Sequence, residues 1–326
     1  TRYGFLMPVE KFVKKDIKAD DYFPVAWEAF TVDEKIYGVP LWLGVEAVYY
    51  NKDLLKAGGF NQPPATWDEF LQWGEALKAQ GKYVYGLTAG SPSVLSYRFL
   101  CWLFSAGGDV ANSDWTKSTI NQANAIKALK FETDLFKKGM APPSGITDGS
   151  SEVYLMFISG NVATMVRGPQ DMLGIYRDYR DFFENKLMIG PMPGVDADNP
   201  GYTTLYTWGL GINNKTKHPE AAWKFIEYMA RPEVMAKTTF GDLPANREGL
   251  KYPGPEVMSG VSIPYSHPYY QAFAQQLDHT KHLPMHAKWP EIEKVIWDGY
   301  QKIIVGNANI EKMANDMAKQ INKLLK

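Results

Sequence analysis

At 326 residues the chain is long enough for two or three domains and for a large core. Its 35 Lys+Arg against 36 Asp+Glu give a net charge of -1 in an ordinary globular composition, leaving no electrostatic footprint for nucleic acid or an anionic membrane. No 18-residue apolar run is present, so no transmembrane helix is expected, and the single cysteine excludes an internal disulfide and a multi-cysteine zinc site.

In chain order, Thr1 opens without the charged and apolar regions of a signal peptide, as in a mature or trimmed product. Val39 to Gly59, VPLWLGVEAVYYNKDLLKAGG, begins as a buried strand that carries Trp42, Gly44 and Glu46 where aliphatics are expected. Thr66-Trp67-Asp68-Glu69 is a capping box, opening a helix with Phe70, Trp73 and Leu77 on one face and closing near Gly81. Cys101, inside FLCWLF, reads as a buried, inert thiol. Asn121 is expected to cap a helix ending at Gly139, and a short helix from Glu152 to Ile158 leads to the strand NVATMV and a turn at Gly168-Pro169. A strand-like stretch from Tyr202 to Ile212 precedes a helix begun by Pro219, and two more helices run from Pro290 to about Val305 and from about Asn309 to the end. This alternation predicts an α/β fold, and the 10 Trp, 19 Tyr and 16 Phe are an aromatic load that sugar-binding clefts also use.

Several segments in order carry a family resemblance: VPLWLGVEAVYYNKDLLKAGG, PPATWDEF, LFSAGGDV, FISGNVATMVRGPQ, YTWGLGINNKTKHPEAAWKFIEYM and GDLPANREGL. Together they resemble the extracellular solute-binding proteins of carbohydrate ABC importers, in particular the maltose- and trehalose-binding family. The resemblance implies a two-lobe periplasmic-binding-protein-like (type II) fold, with the ligand enclosed by hinge closure and no catalysis or cofactor. It places the first lobe at 1–43 and 210–255, the second at 46–204 and 263–326, and hinges near 43–46, 205–209 and 256–262. It implies an extracytoplasmic protein, in the periplasm or at the cell surface as a lipoprotein, that docks on a membrane permease. Full-length members carry roughly a quarter more chain ahead of the segment like Tyr3 to Phe12. The first lobe is therefore expected to be partial, near the ~100-residue size at which a domain stands alone, with its missing strands supplied by a separate chain or fragment or the sequence itself incomplete.

The resemblance also names candidate ligand contacts. Trp42 and Gly44 match cleft-facing strand positions; Gly44 stands where the family commonly has a carboxylate, which leaves Glu46, on the same strand face, as its substitute. Tyr97 matches a stacking tyrosine by its distance from Ala106-Gly107-Gly108. Arg167, Gly168 and Gln170 match a ligand-facing turn, with Gln170 where an aromatic is usual. Trp208 matches a crossing strand, Arg247 a cleft-reaching arginine, and Trp289, preceded by His286 and Lys288, an aromatic at a helix start. The competing reading of each is structural: core or hinge packing for Trp42, Tyr97 and Trp208, and a surface place for Glu46 and Arg247.

Arg167, Arg247, His286 and Lys288 also motivate an acidic sugar as ligand. A glycosidase, needing two carboxylates about 5 to 9.5 Å apart, is the rival class, and a sugar-sensing receptor module shares the same site. No carboxylate sits in a motif recognisable from that chemistry and no Ser-His-Asp spacing appears. The H-x-x-H spacing of His279 and His282 reads as a solvated loop rather than a metal site.

Overall fold

The computed structural model describes residues 4–257 and 261–326. They form strands β1 (Val39–Val45) and β2 (Ala47–Asn51), helix α1 (Trp67–Lys78), β3 (Tyr83–Tyr85), α2 (Pro92–Ser105), α3 (Ala123–Lys137), β4 (Val162–Arg167), α4 (Pro169–Asp178), β5 (Leu187–Gly190) and β6 (Thr203–Leu210). Helices α5 (Pro219–Met229) and α6 (Pro232–Thr238), strand β7 (Leu243–Pro244), and helices α7 (Trp289–Ile304) and α8 (Ile310–Leu324) follow, with shorter elements between.

The chain divides into two compact units, unit 1 comprising 1–45, 168–180 and 205–277 and unit 2 comprising 46–167, 181–204 and 278–326. Helix α4 and residues 263–277, expected in the second lobe, thus belong to unit 1. Specific contacts account for this. The α4 residue Gln170 donates from Nε2 to Asp242 Oδ1 at 2.8 Å, while the hydroxyls of Tyr265 and Tyr270 donate to the carbonyls of Asp242 and Gly241 at 3.2 and 3.1 Å. The third hinge, expected near 256–262, is also displaced. Glu256–Val257 and Val261–Ser262 pair as a short antiparallel ladder inside unit 1, Met258 to Gly260 lie outside the described residues, and the chain enters unit 2 only after Leu277.

In unit 1, β1 pairs antiparallel with β6 on one side and β7 on the other. Pro40 offers no N–H, and the ladder to β6 shifts register between Pro40 and Trp42. Alternation along β1 buries Leu41, Leu43 and Val45 on one face and puts Trp42 and Gly44 on the other.

Unit 2 holds a sheet of order β3-β4-β2-β5, in which β3 and β4 are parallel and the other neighbours antiparallel. Tyr49, Tyr50 and Tyr85 are fully buried in it. The capping box of α1 forms as expected: Thr66 Oγ1 accepts from the Glu69 N–H at 3.2 Å and Glu69 Oε2 from the Thr66 N–H at 3.3 Å. The helix then buries Phe70, Trp73 and Leu77 in an aromatic core where Trp67 stacks on Phe131 at 4.1 Å. Gly81 and Gly139 hold left-handed backbone just past α1 and α3, the conformation that glycine adopts without a steric penalty.

Two local expectations are corrected. Asn121 does not cap α3, because the helix begins at Ala123 after Gln122 and the Asn121 amide donates instead to Asn315 Oδ1 at 2.8 Å. Gly168-Pro169 is not a free turn but the N-cap and first residue of α4, where a proline's missing N–H costs nothing.

Candidate functional site

In unit 1 the β1–β6 register sets Trp42 directly opposite Trp208 and Gly44 directly opposite Tyr206. Opposed residues in an antiparallel pair share a face, so one side of this sheet becomes a shelf of three aromatic rings. Trp208 is 56% exposed and meets Tyr206 edge-on at 6.2 Å, while Trp42 is half-buried. A Cβ at position 44 would lie 1.9 Å from the Tyr206 ring, so glycine is what lets this ring cross β1. The expectation that Gly44 merely lacks an acid is thereby sharpened: a tyrosine fills the space.

The shelf ends in polar groups. Gln170 Nε2 donates to the Tyr206 hydroxyl at 3.1 Å as well as to Asp242, whose carboxylate is buried, and Gly168 lies close enough that its Cβ would stand 3.4 Å from the same hydroxyl. Phe240, 69% exposed, meets Trp42 edge-on at 5.7 Å. Arg247 is not brought to this group. Its Nη1 donates to the carbonyls of Asp20 and Tyr22 at 3.2 and 2.7 Å and its guanidinium covers the Phe23 ring, so it staples the segment before α-helical residues 24–28.

In unit 2 Glu46 is only 4% exposed, which corrects its reading as a surface residue. Its Oε1 stands 3.8 Å from Nη2 of the equally buried Arg98, whose Nε donates to the Val166 carbonyl at 3.2 Å. The Glu46 N–H donates to Thr204, and the Thr204 hydroxyl to the Tyr97 carbonyl. Tyr97 is half-buried on α2; burial, then the charges of Glu293 and Glu46, push its phenol above the ordinary tyrosine value. Arg167 ends β4 and donates to the Ser150 carbonyl.

The remaining unit 2 candidates form a separate aromatic cluster. Trp289 begins α7 half-buried, and Trp115 meets it edge-on at 6.4 Å while stacking flat on His286 at 5.1 Å. His286 Nδ1 accepts from the Lys288 N–H, and Lys288 pairs with Glu291 at 3.1 Å. The four basic side chains that suggested an acidic ligand are therefore each engaged by protein groups.

Tyr206, Phe240, Asp242, Arg98 and Trp115 were not singled out by sequence. Arg98 carried a signal, a charge inside an apolar helix, and Tyr206 stands two residues before Trp208 on the same strand face. Phe240 and Trp115 hold φ of +52° and +54°, which costs a non-glycine residue about 1–2 kcal/mol.

Cys101 is fully buried and its thiol is pushed up to about 12 by burial, as an inert thiol should be. His279 ends a short helical turn and His282 is the last residue of the short strand that follows, so neither lies in a loop, and no group of three metal-ligating side chains occurs among the described residues.

The model of the bacterial extracellular solute-binding protein family matches residues 1–236. The chain belongs to that family. This solute-binding protein is 27% identical to the maltodextrin-binding protein MdxE of Bacillus subtilis over 91% of its own chain and 68% of the relative. Its fold superposes on the sugar-binding protein MalE of Xanthomonas citri with a TM-score of 0.85 at 24% identity, covering 99% of this chain and 80% of the other. It also superposes on an ABC transporter solute-binding protein of Thermotoga lettingae, solved with α-D-tagatose, with a TM-score of 0.82 at 25% identity over 100% and 81% of the two chains. The mixed α/β, two-lobe fold class expected from sequence is that of these solute-binding proteins.

Proposed function

We propose that the protein captures a neutral sugar or oligosaccharide without transforming it and delivers it to the membrane permease of an ABC importer. The observation that carries this reading is the shelf of Trp42, Tyr206 and Trp208, ending in Gln170 and Asp242. Aromatic faces stack on the apolar C–H face of a pyranose, and the exposed Gln170 amide beside them, held by Asp242, takes its hydroxyls. The relatives named for maltodextrin and solved with tagatose support the same ligand class. Trp289, beside Trp115 and His286, offers unit 2 an aromatic group of the same kind.

The engaged state of Arg167, Arg247, His286 and Lys288 favours a neutral ligand over a uronate or sugar phosphate. Of the carboxylates at the candidate groups, Glu46 pairs with Arg98 and Asp242 is buried beneath Gln170, so neither is poised as the proton donor a hydrolase needs. The protein works outside the cytoplasm, in the periplasm or at the cell surface as a lipoprotein, and no described helix is long and apolar enough to cross a membrane.

A thermal-shift panel of maltose, maltotetraose, D-tagatose and D-glucuronate tests this. One neutral sugar at 100 times its dissociation constant should stabilise the protein by about 2.7 kcal/mol and be recovered intact. A panel without any shift, or turnover abolished by replacing a single acid, would sink the capture reading; a shift with glucuronate alone would sink the neutral-ligand choice.

A further inference from the structure

Five described non-glycine residues hold φ in the left-handed region: Asp33, Glu34, Trp115, Phe240 and Asn307. Short polar side chains such as Asp and Asn tolerate that conformation, whereas large rings do not. Each of the two aromatic exceptions occupies a place where a glycine would meet the backbone's requirement more cheaply.

Phe240 is the second residue past α6, the position at which helices commonly turn out through a left-handed glycine, and Gly241 follows it directly. Trp115 closes a tight turn. Its N–H donates to the Asn112 carbonyl at 3.0 Å, and the turn is bracketed by the Asn112 to Lys117 hydrogen bond and the Ala111–Ser118 bridge. The left-handed residue ending such a loop is again usually glycine.

Both rings are spent on the same kind of neighbour. Phe240, mostly solvent-exposed, stands edge-on to Trp42 in unit 1, and Trp115 stands edge-on to Trp289 in unit 2. Trp115 also lines a depression of about 280 Å³ with Asp109, Asn112, Ser113 and His282. Core packing does not account for an exposed phenylalanine in an unfavourable backbone conformation, and such outliers gather at ligand-binding positions.

We propose that Phe240 and Trp115 are further sugar-contact residues, each held by a strained turn so that its ring extends the aromatic surface begun by a neighbouring tryptophan. The inference rests on the sugar-capture reading and assigns to it two residues at turns that otherwise call for glycine.

Titration calorimetry with the tightest-binding sugar of the panel above, paired with thermal melting, tests it on Phe240→Asn, Trp115→Asn, Phe240→Tyr and Trp115→Phe. Asparagine keeps the left-handed backbone and removes the ring. Each Asn variant should bind roughly 2- to 10-fold more weakly. Its melting temperature should stay level or rise by about 2 °C as strain is relieved. The conservative aromatic variants should bind within about 2-fold of the parent, since each keeps a stacking face. Unchanged affinity in the Asn variants overturns the inference, as does an affinity loss accompanied by a melting drop of several degrees, which would assign the rings to folding. A parent protein that binds no member of the panel defeats the capture reading and this inference together, whereas a binding parent with indifferent Asn variants defeats this inference alone.

Discussion

Gly44 and Tyr206 face each other across the β1–β6 pair, and the tyrosine ring occupies the volume that any side chain at position 44 would need. The glycine is a packing requirement of the shelf, because the Tyr206 hydroxyl is fixed at its far end by Gln170. Gly44→Ala should therefore destabilise the protein by about 1–3 kcal/mol through overpacking. Adding Tyr206→Ala should recover most of that loss. Additive melting shifts in the two single variants and the double variant would show that the ring is not what position 44 avoids.

Arg98 and Glu46 should behave as a buried pair. Arg98→Met leaves the Glu46 carboxylate in the interior and is expected to cost about 3–5 kcal/mol, whereas the double variant Arg98→Met/Glu46→Leu should be considerably more stable than Arg98→Met alone. Urea unfolding of the three variants measures this; a double variant no better than the single one would mean that the arginine acts chiefly through the Val166 carbonyl.

Glu132 gives stability a pH dependence of unusual sign. It is fully buried in unit 2 with Tyr85 donating to its Oε1 at 2.8 Å, and burial raises its carboxyl to about 7 from an ordinary 4.5. The folded state then holds the proton more tightly than the unfolded chain. Its contribution is fully present below about 4.5 and is lost as pH rises through about 7, a change on the order of 3 kcal/mol. Glu132→Gln should flatten the melting-temperature profile between those values, and a profile identical to the parent's would remove Glu132 as its source.

Arg247 is expected to matter for folding and not for ligand. Arg247→Met removes two hydrogen bonds to the 20–22 carbonyls and the cover over Phe23, and should cost about 1–3 kcal/mol with sugar affinity unaltered. Calorimetry showing weaker binding at an unchanged melting temperature would return Arg247 to the ligand site.

What the sequence made legible was local. The α1 capping box, the glycines after α1 and α3, and the proline that opens α5 are readable because each acts within a few residues of itself. Trp42 and Trp208 could be named as candidates one at a time, but their opposition depends on a strand register that no local pattern encodes. Helix α4 illustrates the same limit: its start was read as a turn, and its membership of unit 1 goes with Gln170 reaching Asp242, far along the chain. Glu46, named as a ligand contact with a surface place as the competing reading, is buried with its neutralising partner, Arg98, which lies on another element. Phe240 and Trp115 escaped notice because an aromatic in a glycine's place is visible only once φ is known.

The sole cysteine of the chain, Cys101, is sealed in the interior with its thiol held protonated. These 326 residues are thus expected to resist maleimide reagents while folded. One cysteine introduced at an exposed position beside Trp208 would carry a fluorophore uniquely, turning the molecule into an optical reporter with the native cysteine left in place.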